Sequence, residues 1–204
     1  MVSPTAARTF EVPQDKDRST VGYLRVLDTI ATQSMVWIGT GRGEWGGHLV
    51  GLNPRTGEWI HYQDKLHYVT SITREKPDEL IVSWSMSHFN ASTLIRIHKR
   101  DTSVKTNFPA LEAKYYQRVA FSPFDNTLYG IEGTDLVTIE DGKPAKIAAL
   151  DGEVFEDEAM AIGVSPGISG LIPIAEKTVI IVPNQGLPWR WENGELNRLS
   201  LPPE

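Results

Sequence analysis

The chain has 204 residues, with 20 basic against 26 acidic side chains and a formal net charge of −6, and no run of Lys and Arg exceeds a pair, so a phosphate backbone is repelled and nucleic acid is excluded as a partner class. It has no cysteine, which removes disulfides, thiolate metal sites and cysteine nucleophiles. No apolar run approaches the ~18 residues of a membrane span, and Met1-Val-Ser-Pro-Thr-Ala-Ala-Arg lacks the basic and apolar regions of a secretory signal. These features predict one cytoplasmic domain over residues 1–204 with no membrane insertion.

Along the chain, a first short strand is predicted at residues 8–12, Arg-Thr-Phe-Glu-Val. A unit of four strands then recurs four times, over approximately residues 22–65, 66–109, 111–150 and 166–201. The second strand of each copy is an apolar, β-branched or aromatic run: Val36-Trp-Ile-Gly39, Leu80-Ile-Val-Ser83, Leu128-Tyr-Gly130 and Val179-Ile-Ile-Val182. Anchored on Ile38, Val82, Tyr129 and Ile180, the copies are spaced 44, 47 and 51 residues apart. Pro, Asp and Asn clusters precede these strands and supply turn chemistry. The third strands read Leu49-Val-Gly-Leu52, Leu94-Ile-Arg-Ile97, Leu136-Val-Thr-Ile139 and Trp189-Arg-Trp191, and each runs into a hairpin turn, at Thr56-Gly57, Asp101-Thr-Ser103, Asp141-Gly142 and Asn193-Gly194. Outer strands of mixed polarity follow, as suits an exposed edge.

Repeats of this period, each holding four short strands, define an all-β fold: a β-propeller of about four four-stranded blades plus the extra N-terminal strand. An arc of blades leaves two apolar faces open. The ring is therefore expected to close either through the strand at residues 8–12 pairing with the last blade or through oligomerisation.

The stretch Val36-Trp-Ile-Gly-Thr-Gly-Arg-Gly-Glu-Trp-Gly-Gly-His-Leu-Val-Gly-Leu-Asn-Pro-Arg-Thr-Gly-Glu-Trp59 resembles the repeat of the two-component-regulator propellers, with its Trp-Ile-Gly-Thr strand, Gly-Gly-Leu step and Asn/Asp-Pro-x-Thr-Gly turn. It is also similar to the repeats of streptogramin-lyase-like propellers. The resemblance covers about 24 residues of one blade and is degenerate in the other three. For the sensor propellers it implies detection of a ligand or partner. For the lyases it implies histidines on channel-facing loops with a divalent cation; His48 is in that kind of place, but no second matched histidine can be assigned, so catalysis is not carried over.

In a propeller the loops between second and third strands, and those between blades, emerge on one face and gather residues distant in sequence. The candidate binding residues on that face are Arg42, Glu44, Trp45, His48, His88, Phe89, Asn90, Asn184 and Gln185. Residues 39–47 hold five glycines among nine, yet lack the Lys-Ser/Thr of a phosphate loop and a following helix. They read either as a flexible connection or as a mobile loop presenting Trp45 and Arg42, residue types enriched at binding hot spots. The five histidines include no pair at helical zinc-ligand spacing; His98, beside Lys99 and Arg100, reads as a solvated turn residue. The carboxylates at 153, 156, 157 and 158 read as a solvated connection. No nucleophile motif occurs, and neither cofactor nor metal is expected.

The expected function is therefore a non-catalytic, sensor-like or scaffold module that binds a protein partner, a ligand or its own copies. The alternative is a propeller hydrolase or lyase with His48, His88 and Glu44 as the groups to test.

Overall fold

The computed structural model describes residues 25–41, 47–61, 68–77, 79–86, 91–98, 101–105, 116–150 and 167–200. These form sixteen strands and, among the described residues, no helix. The first sheet contains β1 (Arg25–Ala31), β2 (Val36–Gly41), β3 (Leu49–Leu52) and β4 (Trp59–His61); the second, β5 (Tyr68–Lys76), β6 (Glu79–Met86), β7 (Ala91–His98) and β8 (Asp101–Lys105). The third contains β9 (Tyr116–Ser122), β10 (Thr127–Glu132), β11 (Asp135–Glu140) and β12 (Lys143–Ala149); the fourth, β13 (Ile168–Ala175), β14 (Thr178–Pro183), β15 (Trp189–Glu192) and β16 (Glu195–Arg198). Each is an antiparallel meander in chain order, and the first strands β1, β5, β9 and β13 lie side by side as the inner strands. The four sheets are the blades of a β-propeller, as the recurrence of apolar runs predicts.

Local chemistry explains the turns. Asp141 (φ 47°) with Gly142 (φ 77°) and Asn193 (φ 49°) with Gly194 (φ 96°) occupy the left-handed region that a two-residue hairpin requires at both positions. After β3, the Asn53 Oδ1 accepts the amides of Arg55 (3.0 Å) and Thr56 (3.3 Å), while Gly57 at φ 77° donates to the Asn53 carbonyl at 2.8 Å. That Asx turn is the physical content of the Asn-Pro-x-Thr-Gly motif. Two expected boundaries move. Asp101, Thr102 and Ser103 belong to β8 rather than to a turn, because His98 pairs with Asp101 and Arg96 with Lys105; the same pairing puts His98 at the end of β7 rather than in the turn. The connection between second and third strands, expected as a loop in every blade, is in the third blade only the two-residue turn Gly133-Thr134, since Glu132 pairs directly with Asp135 and Gly133 has φ 58°. The strand expected at residues 8–12 lies outside the described residues.

The second strands of the second and third blades, β6 and β10, are buried on both faces, whereas β2 and β14, in the first and last blades, bury one face and half-bury the other; all four therefore read as apolar runs. Leu80 and Val82 face the first blade and join Met35, Trp37 and Leu49, whereas Ile81 faces the third and packs with Leu94, Val119, Leu128 and Ile139. Between the third and fourth blades lie Tyr129, Ile131, Leu136, Val179, Ile181, Trp189 and Trp191. Blade packing thus runs in chain order, and no extended packing joins the described strands of the fourth blade to those of the first.

An inner strand is a sheet edge and carries unpaired amides. Here the preceding blade caps them. Asp28 Oδ2 accepts the Ile72 amide at 2.7 Å, Ser71 Oγ the Val119 amide at 3.2 Å, Thr73 Oγ1 the Phe121 amide at 2.8 Å, and Gln117 Oε1 the Ile168 amide at 3.1 Å. Each cap reaches forward by one repeat, so the three junctions share a polar ladder beside their apolar packing.

Candidate functional site

Because every blade is an up-and-down meander, the second-to-third strand connections and the starts of the inner strands share one propeller face. At the center of that face, among the described residues, stands Arg118 on β9. Its Nε donates to the Ile168 carbonyl of the fourth blade at 3.0 Å, and its Nη1 donates to the Thr70 carbonyl of the second. One half-buried guanidinium therefore ties three blades together through neutral carbonyls, with N–H groups beyond the two engaged. Beside it Gln117 donates to the Gly133 carbonyl at 2.9 Å while accepting from Ile168. Tyr116 is buried, and burial, with the Glu132 carboxylate adding to it, pushes its phenol up to about 12.

The expected binding residues divide. His48 is half-buried at the entry to β3, where its main chain is fixed by Thr40: the His48 amide donates to Thr40 Oγ1 at 3.0 Å, and the Thr40 amide donates to the His48 carbonyl at 2.9 Å. Asn184 and Gln185 are exposed after β14, with the Asn184 amide bonded to the Gly167 carbonyl at 2.8 Å. Close by, the Arg198 guanidinium lies over the Trp189 ring at 5.8 Å. All of these belong to the face that carries Arg118, His48 in the first blade and the amides in the fourth. Arg42, Glu44, Trp45, His88, Phe89 and Asn90 lie outside the described residues. Arg118 and Gln117 were missed from sequence, although two consecutive long polar residues on the first strand of an otherwise apolar repeat are a usable signal.

The opposite face holds a groove of about 660 Å³ between the third and fourth blades, lined in part by Phe124, Asp125, Tyr129, Lys177, Trp191 and Asn193. Asp125 organizes it: Oδ2 accepts the Tyr129 hydroxyl at 2.6 Å and the Lys177 amide at 3.0 Å. Burial would raise the Asp125 carboxyl, but these bonds, with help from Ser122 and Thr127, hold it below its ordinary 3.8. The Tyr129 phenol is pushed well above its ordinary value by burial and by the Asp125 carboxylate. The arrangement latches two blades together. Among the described residues no group of three or more His, Asp and Glu side chains is placed to hold a metal ion, and no helix is long and apolar enough to cross a membrane.

No protein-family model matches the sequence, and no curated protein does. Among solved structures, the chain is similar to the gluconolactonase of Xanthomonas campestris, with 13% identity and a TM-score of 0.56 over 88% of this chain and 60% of that one. It is similar also to a second protein described as a gluconolactonase, with 13% identity and a TM-score of 0.57 over 90% of this chain and 63% of that one. Puromycin hydrolase gives 15% identity and a TM-score of 0.61 over 90% of this chain and 32% of that one. At such identities the likeness is one of fold, and the chain spans less than two thirds of each of these proteins.

Proposed function

We propose that the protein is a β-propeller binding module that holds a protein partner or ligand on the face carrying Arg118, His48, Asn184 and Gln185. The observation that carries this reading is Arg118 itself, a cation held between three blades by two carbonyls. Among the described residues the hydrogen-bond partners of Arg118 are main-chain carbonyls, which orient a guanidinium without neutralizing it and so suit it to a carboxylate or another oxygen-rich group. His48 and the two amides are further polar groups on the same face, and the sequence of the glycine-rich connection offers Trp45 and Arg42, which lie outside the described residues, as residue types of the hot-spot kind.

The second reading is a hydrolase or lyase working on this same face with His48, His88 and Glu44. It is favored by the fold shared with proteins named as gluconolactonases and as puromycin hydrolase. One set of variants separates the two. Proteins captured on the immobilized chain are identified, and capture is compared with an Arg42→Ala, Trp45→Ala variant; gluconolactone and puromycin are offered to the same samples and to His48→Ala. The binding reading expects selective capture that the double variant loses without a change in thermal midpoint, and no turnover. Capture that survives the double variant rejects it, whereas turnover abolished by His48→Ala establishes the second.

A further inference from the structure

The groove between the third and fourth blades is held by main chain and leaves most of its polar side chains uncommitted. Lys177 donates its amide to Asp125 Oδ2 at 3.0 Å and accepts the Asn193 amide on its carbonyl at 3.0 Å, so one turn of the third blade and two of the fourth are pinned together. The side chains of Thr138, Glu176, Lys177, Trp191 and Asn193 line the groove, and among the described residues none of them enters a hydrogen bond or ion pair. Trp191 is only 6% exposed, yet its buried indole N–H has no acceptor. Phe124, which also lines the groove, is 54% exposed, a large apolar ring left in water on a fixed turn.

We propose that this groove binds a neutral saccharide, one ring of which packs on Phe124. Its volume of about 660 Å³ is that of a small-molecule site. The uncommitted groups are a hydroxyl, a carboxylate, an ammonium, an indole N–H and an amide, so donors and acceptors both stand open. A ligand that only donates or only accepts answers half of them, whereas every sugar hydroxyl does both. An apolar side chain or helix face seated here would bury these groups without partners. Charge selects in the same direction. Lys177 stands against the carboxylates of Asp125 and Glu176, so nothing favors an anion, and the ammonium opposes a cation. A sugar ring also carries C–H groups on one face, and their slight positive charge suits the negative face of an exposed aromatic ring. An oxygen of the same ligand gives the indole N–H the acceptor that it lacks. The site lies on the face away from Arg118 and is independent of the binding reading above.

The test offers the full chain soluble neutral oligosaccharides of glucose, galactose, mannose, xylose and N-acetylglucosamine and follows binding by calorimetry. One of them should bind, and Phe124→Ala should raise its dissociation constant by about tenfold or more, the scale of a central contact residue. Because Phe124 is exposed, that substitution should leave the thermal midpoint unchanged. Trp191→Phe keeps an aromatic ring but removes the N–H, and should raise the constant by about tenfold when binding is measured well below the thermal midpoint of the variant. Binding of none of these sugars overturns the proposal. So does binding that Phe124→Ala or Trp191→Phe leaves unchanged, since the sugar would then sit elsewhere.

Discussion

Asp125 does the most with one side chain. It accepts the Tyr129 hydroxyl within its own blade and the Lys177 amide of the next, and burial of Tyr129 keeps that phenol protonated and able to donate. Since the folded state holds this carboxyl below its ordinary 3.8, its stabilizing contribution is complete above that value and is lost as the pH falls through the depressed one. Asp125→Asn should therefore lower the thermal midpoint at neutral pH, and the gap to the parent should close as the pH falls from about 5. Thermal melts across that range check this; a gap independent of pH would mean that the carboxylate charge is not what matters. Capping residues such as Asp28, Ser71 and Thr73 were not legible as a class, because an isolated polar residue in a strand reads as solvent-facing. Their partners lie about one repeat away: the bonds of Ser71 and Thr73 to the third blade each span 48 residues. The left-handed turns at Asp141-Gly142 and Asn193-Gly194, by contrast, were legible because their cause is entirely local.

At the level of elements, the repeat was readable because the second strand of each blade packs in the interior of the sheet stack, and β2, β6, β10 and β14 all carry the apolar run that this requires. The boundary at β8 was not readable, since Asp101 to Ser103 have turn-forming composition and only cross-strand pairing overrides it. The candidate site was legible only in part: sequence placed Asn184, Gln185 and His48 on the shared face, but Arg118 acts through carbonyls of two other sheets, a relation no single strand displays. Closeness of neighboring sheets also depends on missing side chains. A Cβ on Gly39 would stand 2.4 Å from Val69 Cγ1, across the junction of the first two blades. Gly39→Val should wedge β2 from β5 and destabilize the chain by about 1–3 kcal/mol. Denaturant titration measures this, and a neutral effect would show that the junction can yield.

For the molecule as a whole, the blades are coupled by Arg118 as well as by packing. Arg118→Met keeps much of the side-chain volume but removes bonds to the second and fourth blades at once. The expected outcome is a loss of about 2 kcal/mol or more, from two charge-assisted bonds, with unfolding that becomes less cooperative by denaturant titration; an unchanged, equally steep transition would show that packing alone joins the blades. The forward-reaching caps carry a practical corollary. Ladder amides inside a blade are protected until that sheet melts, but those of Ile72, Val119, Phe121 and Ile168 are shielded only by a side chain from next door. Their deuterium uptake is a set of built-in gauges, one or two per seam, that reports separation of adjoining blades before any blade itself comes apart.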